Sequence, residues 1–144
     1  MDYNCSILGD KQTGKTTFSN YWSTNNFTLE NSEDVNCIRF KNTNFNLCEN
    51  FIPDLVHCAI IMFNISNKVS FDNVINHYNS LNLIVPTIIC GIKIQQHEEV
   101  TENHLIQFLH YTYKHLNFKY YEINNKTLYN IEKPFQCLIN TLNN

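Results

Sequence analysis

The sequence predicts one α/β domain over residues 1–144, with helices flanking a mostly parallel β-sheet. Short apolar runs typical of strands alternate with helical patterns, and this alternation favours parallel strands joined by helices. The run from Cys58 to Phe63 is apolar at every position, which is typical of a strand buried on both faces. A glycine-containing turn separates the first apolar run from the first helical pattern. A length of 144 residues fits a single domain.

The first half of the chain predicts a strand, a helix and a hairpin. An apolar run from Tyr3 to Leu8 predicts the first strand, and a helical pattern follows from Thr16 to Trp22. Two further strands are expected at Val35 to Phe40 and Asn44 to Cys48, and the polar tripeptide between them predicts a hairpin. The stretch from Ser23 to Asp34 is polar and unpatterned, which suits either a plain surface loop or a functional loop.

The second half alternates strands with three helices. Apolar residues on one side predict a helix from Val69 to Leu81, and Thr101 suits the cap of a helix running to about His115. A last helix is expected from Asn130 to Leu142, with Pro134 in its opening turn, where proline is tolerated. The strands expected in this half are Cys58 to Phe63, Val85 to Cys90 and Lys119 to Ile123.

The charge balance argues against a dedicated nucleic-acid-binding protein. The chain carries 10 Lys and Arg against 13 Asp and Glu, a net charge of −3, whereas such proteins carry basic patches. No apolar run approaches the roughly 20 residues that a membrane span needs. The first residues lack the basic segment of a signal peptide. We therefore expect a soluble protein of the cytoplasm, the nucleus or both, and not a secreted one.

Asparagine fills 24 of the 144 positions, alongside many Ile, Tyr and Phe residues. These residues share A/T-rich codons, so the bias predicts an A/T-rich genome such as that of a large DNA virus or a protist.

The cysteines and histidines show no metal-binding pattern. The 6 cysteines form no C-x-x-C pair, which argues against a zinc site. Most cysteines lie in apolar runs, so free buried thiols are favoured over disulfides. The 6 histidines show no H-E-x-x-H motif, and we assign them no metal or catalytic role.

Residues 9–17 read Gly-Asp-Lys-Gln-Thr-Gly-Lys-Thr-Thr and match the phosphate-loop pattern G-x-x-x-x-G-K-[ST]. Gly9 lets the chain leave the strand sharply, and Gly14 lets backbone N–H groups close on phosphate oxygens. Lys15 supplies a positive charge to the outer phosphates, and Thr16 offers Mg²⁺ a hydroxyl at the start of the helix. The other phosphate-binding candidates are Asp10, Lys11, Gln12, Thr13 and Thr17. The alternative is a loop that keeps this shape without binding nucleotide.

The chain resembles the Ras-type small GTPases, and within them most closely the Ran subfamily of nuclear transport. The resemblance spans nearly the whole chain. A long and specific match is Tyr-Asn-Ile-Glu-Lys-Pro-Phe at 129–135, at the start of the family's final helix. The other segments that carry the resemblance are 58–64, 68–74, Pro86, 89–91 and 120–127.

The resemblance implies a P-loop NTPase fold of the small G-protein type, with shortened switch regions. It also implies GTP or GDP with Mg²⁺ as ligands, and transport receptors or the nucleotide-exchange factor of Ran as partners. The implied metal-binding residues are Thr16 and, through a water molecule, Glu49. The implied base-binding residues are Lys93, Lys126 and Asn125, whose backbone N–H could reach guanine O6.

Departures from the family pattern affect catalysis and base reading. Lys11 replaces a small glycine near the γ-phosphate. Glu49 takes the place of the aspartate of the family's D-x-x-G-Q segment, and only residues 50–57 separate it from the next strand. The N-K-x-D motif reads Ile92-Lys93-Ile94-Gln95, so guanine loses a carboxylate whose charged hydrogen bond contributes about 1.5–3 kcal/mol. Asn124-Asn125-Lys126 replaces S-A-K. The shortened first switch offers Thr28 as its candidate metal ligand.

Three hypotheses about function follow. The first is a degenerate GTPase, with no catalytic residue and negligible hydrolysis, that acts by protein–protein interaction and competes with the authentic transport GTPase. The second is a nucleotide-binding GTPase with slow hydrolysis. The third is a protein without a ligand, whose remaining motif only preserves the fold. Nucleotide binding separates the third hypothesis from the other two.

Overall fold

The protein is built around a six-stranded sheet, in a computed structural model that describes residues 2–25, 35–81, 84–93, 98–107 and 118–143. The strands are β1 (Asp2–Leu8), β2 (Val35–Phe40), β3 (Thr43–Glu49), β4 (Cys58–Asn64), β5 (Thr87–Ile92) and β6 (Phe118–Ile123). The helices are α1 (Lys15–Asn25), α2 (Lys68–Asp72), α3 (Val74–Asn79), α4 (Glu102–Gln107) and α5 (Lys133–Leu142). Within these ranges, every helix is too short or too polar to cross a membrane.

The strand order across the sheet is β2-β3-β1-β4-β5-β6. Neighbouring strands run parallel except β2 and β3, which form the antiparallel hairpin predicted from the sequence. At the tip of this hairpin, Lys41 and Asn42 have φ of 47° and 65°. Two-residue hairpin turns require this left-handed conformation, and asparagine tolerates it well. The predicted α/β class with a mostly parallel sheet is confirmed.

The larger of two hydrophobic cores lies between the sheet and the helices α1 and α5. Phe135 of α5 is fully buried at its centre. Its ring stacks on Phe18 at 5.7 Å and meets Trp22 edge-on at 4.9 Å, both measured between ring centroids. Such aromatic pairs add to the stabilisation that burial alone provides.

Strand β4 is buried on both faces, as its uninterrupted apolar run predicts. Ile60 and Met62 belong to the core beside α1 and α5. Ile61 and Phe63 join Phe71 of α2 in a second core on the opposite face. The rings of Phe63 and Phe71 lie 5.0 Å apart.

The connection from β3 to β4 must pass over β1, because β1 lies between these two strands. The chain makes this crossover with residues 50–57, all of which are described, and without a helix. The sheet face in this region is polar: Asn44 donates to Asp2 at 2.8 Å, and Asn46 donates to Asn4 at 2.9 Å. A polar face can meet water, so this part of the sheet needs no covering helix.

The single helix predicted from Val69 to Leu81 is wrong, because the structure has two short helices that meet at Asn73. The side-chain amide of Asn73 donates to the carboxylate of Asp10 at 2.7 Å. Asparagine side chains that bond elsewhere compete with helical hydrogen bonding, which favours an interruption at this position.

Two other predicted boundaries meet the edge of the described residues. Helix α1 continues to Asn25, so the predicted loop from Ser23 to Asp34 begins later, and residues 26–34 lie outside the described residues. Helix α4 is described to Gln107, and its predicted continuation to His115 lies outside them.

The last helix starts at Lys133, later than the predicted Asn130. Leu128 and Asn130 have φ of 67° and 58°, which a right-handed helix does not accommodate. Pro134 lies in the first turn of α5, as predicted.

Replacing Phe135 with alanine should lower the free energy of unfolding by about 3–5 kcal/mol, because it removes a fully buried ring and leaves a cavity. Glu132→Ala, at the exposed position before the same helix, should change this free energy by less than about 0.5 kcal/mol. Urea denaturation followed by circular dichroism measures both variants. Equal losses in the two variants would contradict the packing described above.

Candidate functional site

The loop between β1 and α1 has a conformation that depends on its glycines. Gly9 and Gly14 have φ of 147° and 89°, values that residues with a side chain rarely adopt. A Cβ at Gly9 would also collide with the carbonyl oxygen of Met62. The predicted phosphate-binding residues 9–17 thus form one tight turn from the end of β1 into the start of α1.

The side chain of Lys15 lies inside this loop. Its ammonium donates to the carbonyl oxygens of Gly9 at 2.7 Å and Asp10 at 2.6 Å. Burial lowers the pKa of Lys15, and the negative charges of Glu49 and Asp10 oppose that effect. The loop therefore holds a partly desolvated cation in the position predicted to meet phosphate, where charge-assisted hydrogen bonds are strong.

An open pocket of about 560 Å³ lies over the loop. Its lining residues are Gly9, Lys11, Gln12, Thr13, Gly14, Lys15, Thr16, Thr17, Glu49 and Asn50. The pocket thus brings the predicted phosphate-binding residues together with the predicted metal-binding Glu49. The side chain of Asp10 does not line it.

The two predicted Mg²⁺ ligands meet at the edge of this pocket, where the Thr16 hydroxyl donates to the Glu49 carboxylate. Hydroxyl and carboxylate oxygens suit Mg²⁺, which takes few protein ligands and completes its shell with water and substrate phosphates. The described residues contain no group of three or more His, Cys, Asp or Glu side chains placed to hold a metal. The pair Thr16 and Glu49 suits an ion whose remaining ligands are phosphates and water. The candidate Thr28 lies outside the described residues.

A second pocket of about 310 Å³ adjoins the first and shares Gly14 and Thr17 with it. Its lining residues are Gly14, Thr17, Ile92, Lys93, Asn124, Asn125 and Lys126. All three residues predicted to bind the base therefore lie around one cavity. Adjoining pockets of these sizes can take the phosphates and the base of one nucleotide.

The described residues that line the second pocket include no carboxylate. The ammonium of Lys93 lies 3.2 Å from the carboxylate of Glu98, and both side chains are about 40% exposed. Because water screens an exposed pair, this ion pair contributes little to the stability of the fold. Asn124 shapes the base loop, because its Oδ1 accepts from the backbone N–H of Lys126 at 2.9 Å. Residues 94 and 95 of the altered base-reading motif lie outside the described residues.

The crossover 50–57 is bonded to β1 at both ends. Its first and last amides, those of Asn50 and His57, donate to Ile7 O and Asn4 O at 2.9 Å each. These two bonds extend the β-ladders on either side of β1.

Side chains of β1 fix the middle of the crossover. The Ser6 hydroxyl donates to Phe51 O at 3.0 Å, and the Asn4 amide donates to Leu55 O at 2.7 Å. Neither residue was predicted from the sequence to have a role. The signal was the polar side chain at every second position of an otherwise apolar first strand.

Asp10 connects the phosphate loop to α3. Its carboxylate accepts from Asn73 Nδ2 at 2.7 Å and lies 2.9 Å from His77 Nε2. Partial burial alone would raise the pKa of Asp10, but the hydrogen bonds of Asn73 and His77 outweigh it and hold that pKa below its ordinary value. Asp10 was predicted to bind phosphate, yet its carboxylate serves this contact, and only its carbonyl oxygen accepts from Lys15.

The lowered pKa of Asp10 makes the stability of the protein dependent on pH in acid. The stabilisation is complete above the unfolded-state pKa of roughly 3.9 and is lost as the pH falls through the lower folded-state pKa. Asp10→Asn should therefore weaken the fall in unfolding free energy between about pH 5 and pH 2. Asn73→Ala, which removes one donor, should bring the folded-state pKa of Asp10 closer to its unfolded-state value and so make this fall smaller. Urea denaturation across this range measures it, and identical pH dependence in all three proteins would contradict the assignment.

A family model described as Ras family matches residues 41–144. The match begins at the hairpin tip, so the phosphate loop at 9–17 is an observation independent of it. Members of this family are small GTPases that bind guanine nucleotides, generally with Mg²⁺. Because the match spans well over half of the chain, and the fold and phosphate loop agree with it, the protein belongs to the Ras family.

Proposed function

We propose that this protein is a degenerate GTPase, or pseudo-GTPase, that binds nucleotide through its phosphate loop and acts by contacting other proteins. The observation that carries the proposal is the crossover 50–57. It stands where the family has its second switch, and residues 50, 51, 55 and 57 are hydrogen-bonded to the central strand β1. A segment fixed in this way is a poor sensor of the γ-phosphate.

A switch must adopt two arrangements, and the bonds of the crossover favour one of them. Lifting the crossover would break its backbone bonds to Ile7 and Asn4 and the side-chain bond from Ser6. Each such bond contributes about 0.5–1.5 kcal/mol. Ile52, which packs against the second core, would also lose apolar contacts. Together these losses make the lifted arrangement unfavourable, so the crossover should stay on β1 in every nucleotide state.

Negligible hydrolysis follows from the residues near the expected γ-phosphate position. Residues 50–57 contain no glycine to contact the γ-phosphate and no glutamine to orient a water molecule. Positioning that water is one of the few tasks that a protein has in phosphoryl transfer. Lys11 lines the phosphate pocket and adds a long cationic side chain there. This charge favours anion binding, while its bulk hinders an attacking water molecule.

A slow but functioning GTPase is the second candidate function. It is favoured by the convergence of Lys15, Thr16 and Glu49 on one pocket, next to a cavity of suitable size for a base. In this case the phosphate loop and Mg²⁺ would still stabilise the charge that develops on the phosphates during hydrolysis.

The partners proposed here rest on the Ran-like segments of the sequence. A protein that keeps this framework but does not switch could occupy transport receptors or the exchange factor of Ran, and so interfere with transport between nucleus and cytoplasm. The asparagine-rich composition suggests an A/T-rich genome, such as that of a large DNA virus or a protist, as its source. Pull-down from cell extract with the purified protein should recover one of these factors. Recovery of none of them would contradict this part of the proposal.

Calorimetric titration with GTP, GDP and ATP in the presence of Mg²⁺ tests nucleotide binding. We expect micromolar binding, with GTP and ATP within about tenfold of each other, because the charged bond to guanine is lost. Lys15→Ala should abolish the binding by removing the cation inside the loop. Lys133→Ala, at an exposed position on α5, is the matched control and should leave it unchanged.

Phosphate release from bound GTP distinguishes the two candidate functions. No release above the uncatalysed rate supports a pseudo-GTPase, and release that Lys15→Ala abolishes supports a slow GTPase. If no nucleotide binds wild-type protein, both candidates fail and the loop only preserves the fold.

A further inference from the structure

We propose that Asn125 is a positioning residue that fastens the base loop to the phosphate loop and thereby slows nucleotide release, an inference that rests on the nucleotide binding proposed above. The side-chain Nδ2 of Asn125 donates to the carbonyl oxygen of Gly14 at 3.3 Å. The two residues are 111 positions apart in the sequence. This bond, here called the latch, is therefore a tertiary contact between the two loops.

The latch lies where the two pockets meet. Gly14 lines both the phosphate pocket and the base pocket, and Asn125 lines the second. The carbonyl oxygen of Gly14 also accepts from Phe18 N at 2.9 Å, a bond of the first turn of α1. The latch consequently attaches the base loop to the same carbonyl that begins the helix behind the phosphates.

The latch requires glycine at position 14. A Cβ on Gly14 would lie only 2.9 Å from Nδ2 of Asn125 and 3.2 Å from Cγ2 of Ile92. The first distance is too short for a Cβ contact, so any other residue would displace the amide. Gly14 therefore serves two purposes, because it also adopts the left-handed φ of 89° in the phosphate loop.

The side-chain oxygen of Asn125 takes no part in the latch. Its Oδ1 is buried and finds no hydrogen-bond partner among the residues that the structure describes. Burying a polar atom without a hydrogen-bond partner is unfavourable, because the atom has lost its bonds to water. The neighbouring side chain of Ile92, which is fully buried, has no donor to offer. Among the described residues, the Asn125 side chain is therefore held to the phosphate loop through its Nδ2 alone.

Nucleotide release requires the base and the phosphates to leave two pockets that this bond holds together. Without the latch, the base loop can move away while the phosphate loop stays in place. Dissociation of the nucleotide should therefore accelerate. When the two loops move independently, the base can leave its pocket first, and the phosphates are then held by one pocket alone.

The rate at which a fluorescent GDP analogue leaves the protein tests the inference. Asn125→Ala should release it about fivefold to tenfold faster, the change expected for one hydrogen bond. Asn125→Asp places a carboxylate oxygen, which can only accept, next to the Gly14 carbonyl oxygen. This variant should release the analogue at least as fast as Asn125→Ala does. Thr127→Ala is the control in the same loop, because only the backbone N–H of Thr127 is seen to bond there, and its rate should match wild type.

Two results with nucleotide-binding protein would overturn the latch. If wild type binds the analogue and releases it at the same rate as both Asn125 variants, the latch has no role. Faster release in Asn125→Ala and Thr127→Ala alike would also overturn it, since general loosening of the loop would then explain the result. If wild type binds no nucleotide, the proposed function fails. Amide exchange in residues 124–130 then decides the latch, which predicts faster exchange in Asn125→Ala only.

Discussion

The crossing of β1 is the constraint on which the rest of the structure depends. Strands β3 and β4 both pair in parallel with β1 and lie on opposite sides of it, so residues 50–57 must bridge a full strand without a helix. The chain meets this constraint with polar side chains. Asn4 and Ser6 hold the crossover, and amide pairs between β1 and β3 make the neighbouring face compatible with water.

The site keeps features made by the backbone and loses features made by particular side chains. Gly9 and Gly14 hold a turn that can close on phosphates, and Lys15 supplies its charge. Under the proposed function, these groups would bind a nucleotide in any state. Distinguishing GTP from GDP, or guanine from another base, needs groups placed at the γ-phosphate and at the base edge. Those are the positions at which the sequence departs from its family, which favours binding without turnover.

Periodicity and loop chemistry in the sequence predicted most of the order of strands and helices along the chain, the hairpin and the glycine-containing loop at 9–17, because these depend on neighbouring residues. The contacts between distant residues could not be predicted in this way. Asn73 reads as the middle of one helix, and only its bond to Asp10 in the folded protein explains the break. The bond from Asn125 to Gly14 likewise has no trace in the local pattern. The anchoring residues Asn4 and Ser6 are visible in the sequence as polar positions that alternate with apolar ones in β1. That they bond to the crossover could be recognised only once the structure showed where the crossover lies.

Amide hydrogen exchange at Asn50 and His57 tests most directly whether the crossover switches. Exchange would be followed in the protein loaded with Mg²⁺ and either GDP or a non-hydrolysable GTP analogue. The bonds of these amides to Ile7 and Asn4 predict the same protection in both states. A change of more than about tenfold between the two states, equivalent to about 1.4 kcal/mol, would show a segment that responds to the γ-phosphate and would contradict a non-switching protein.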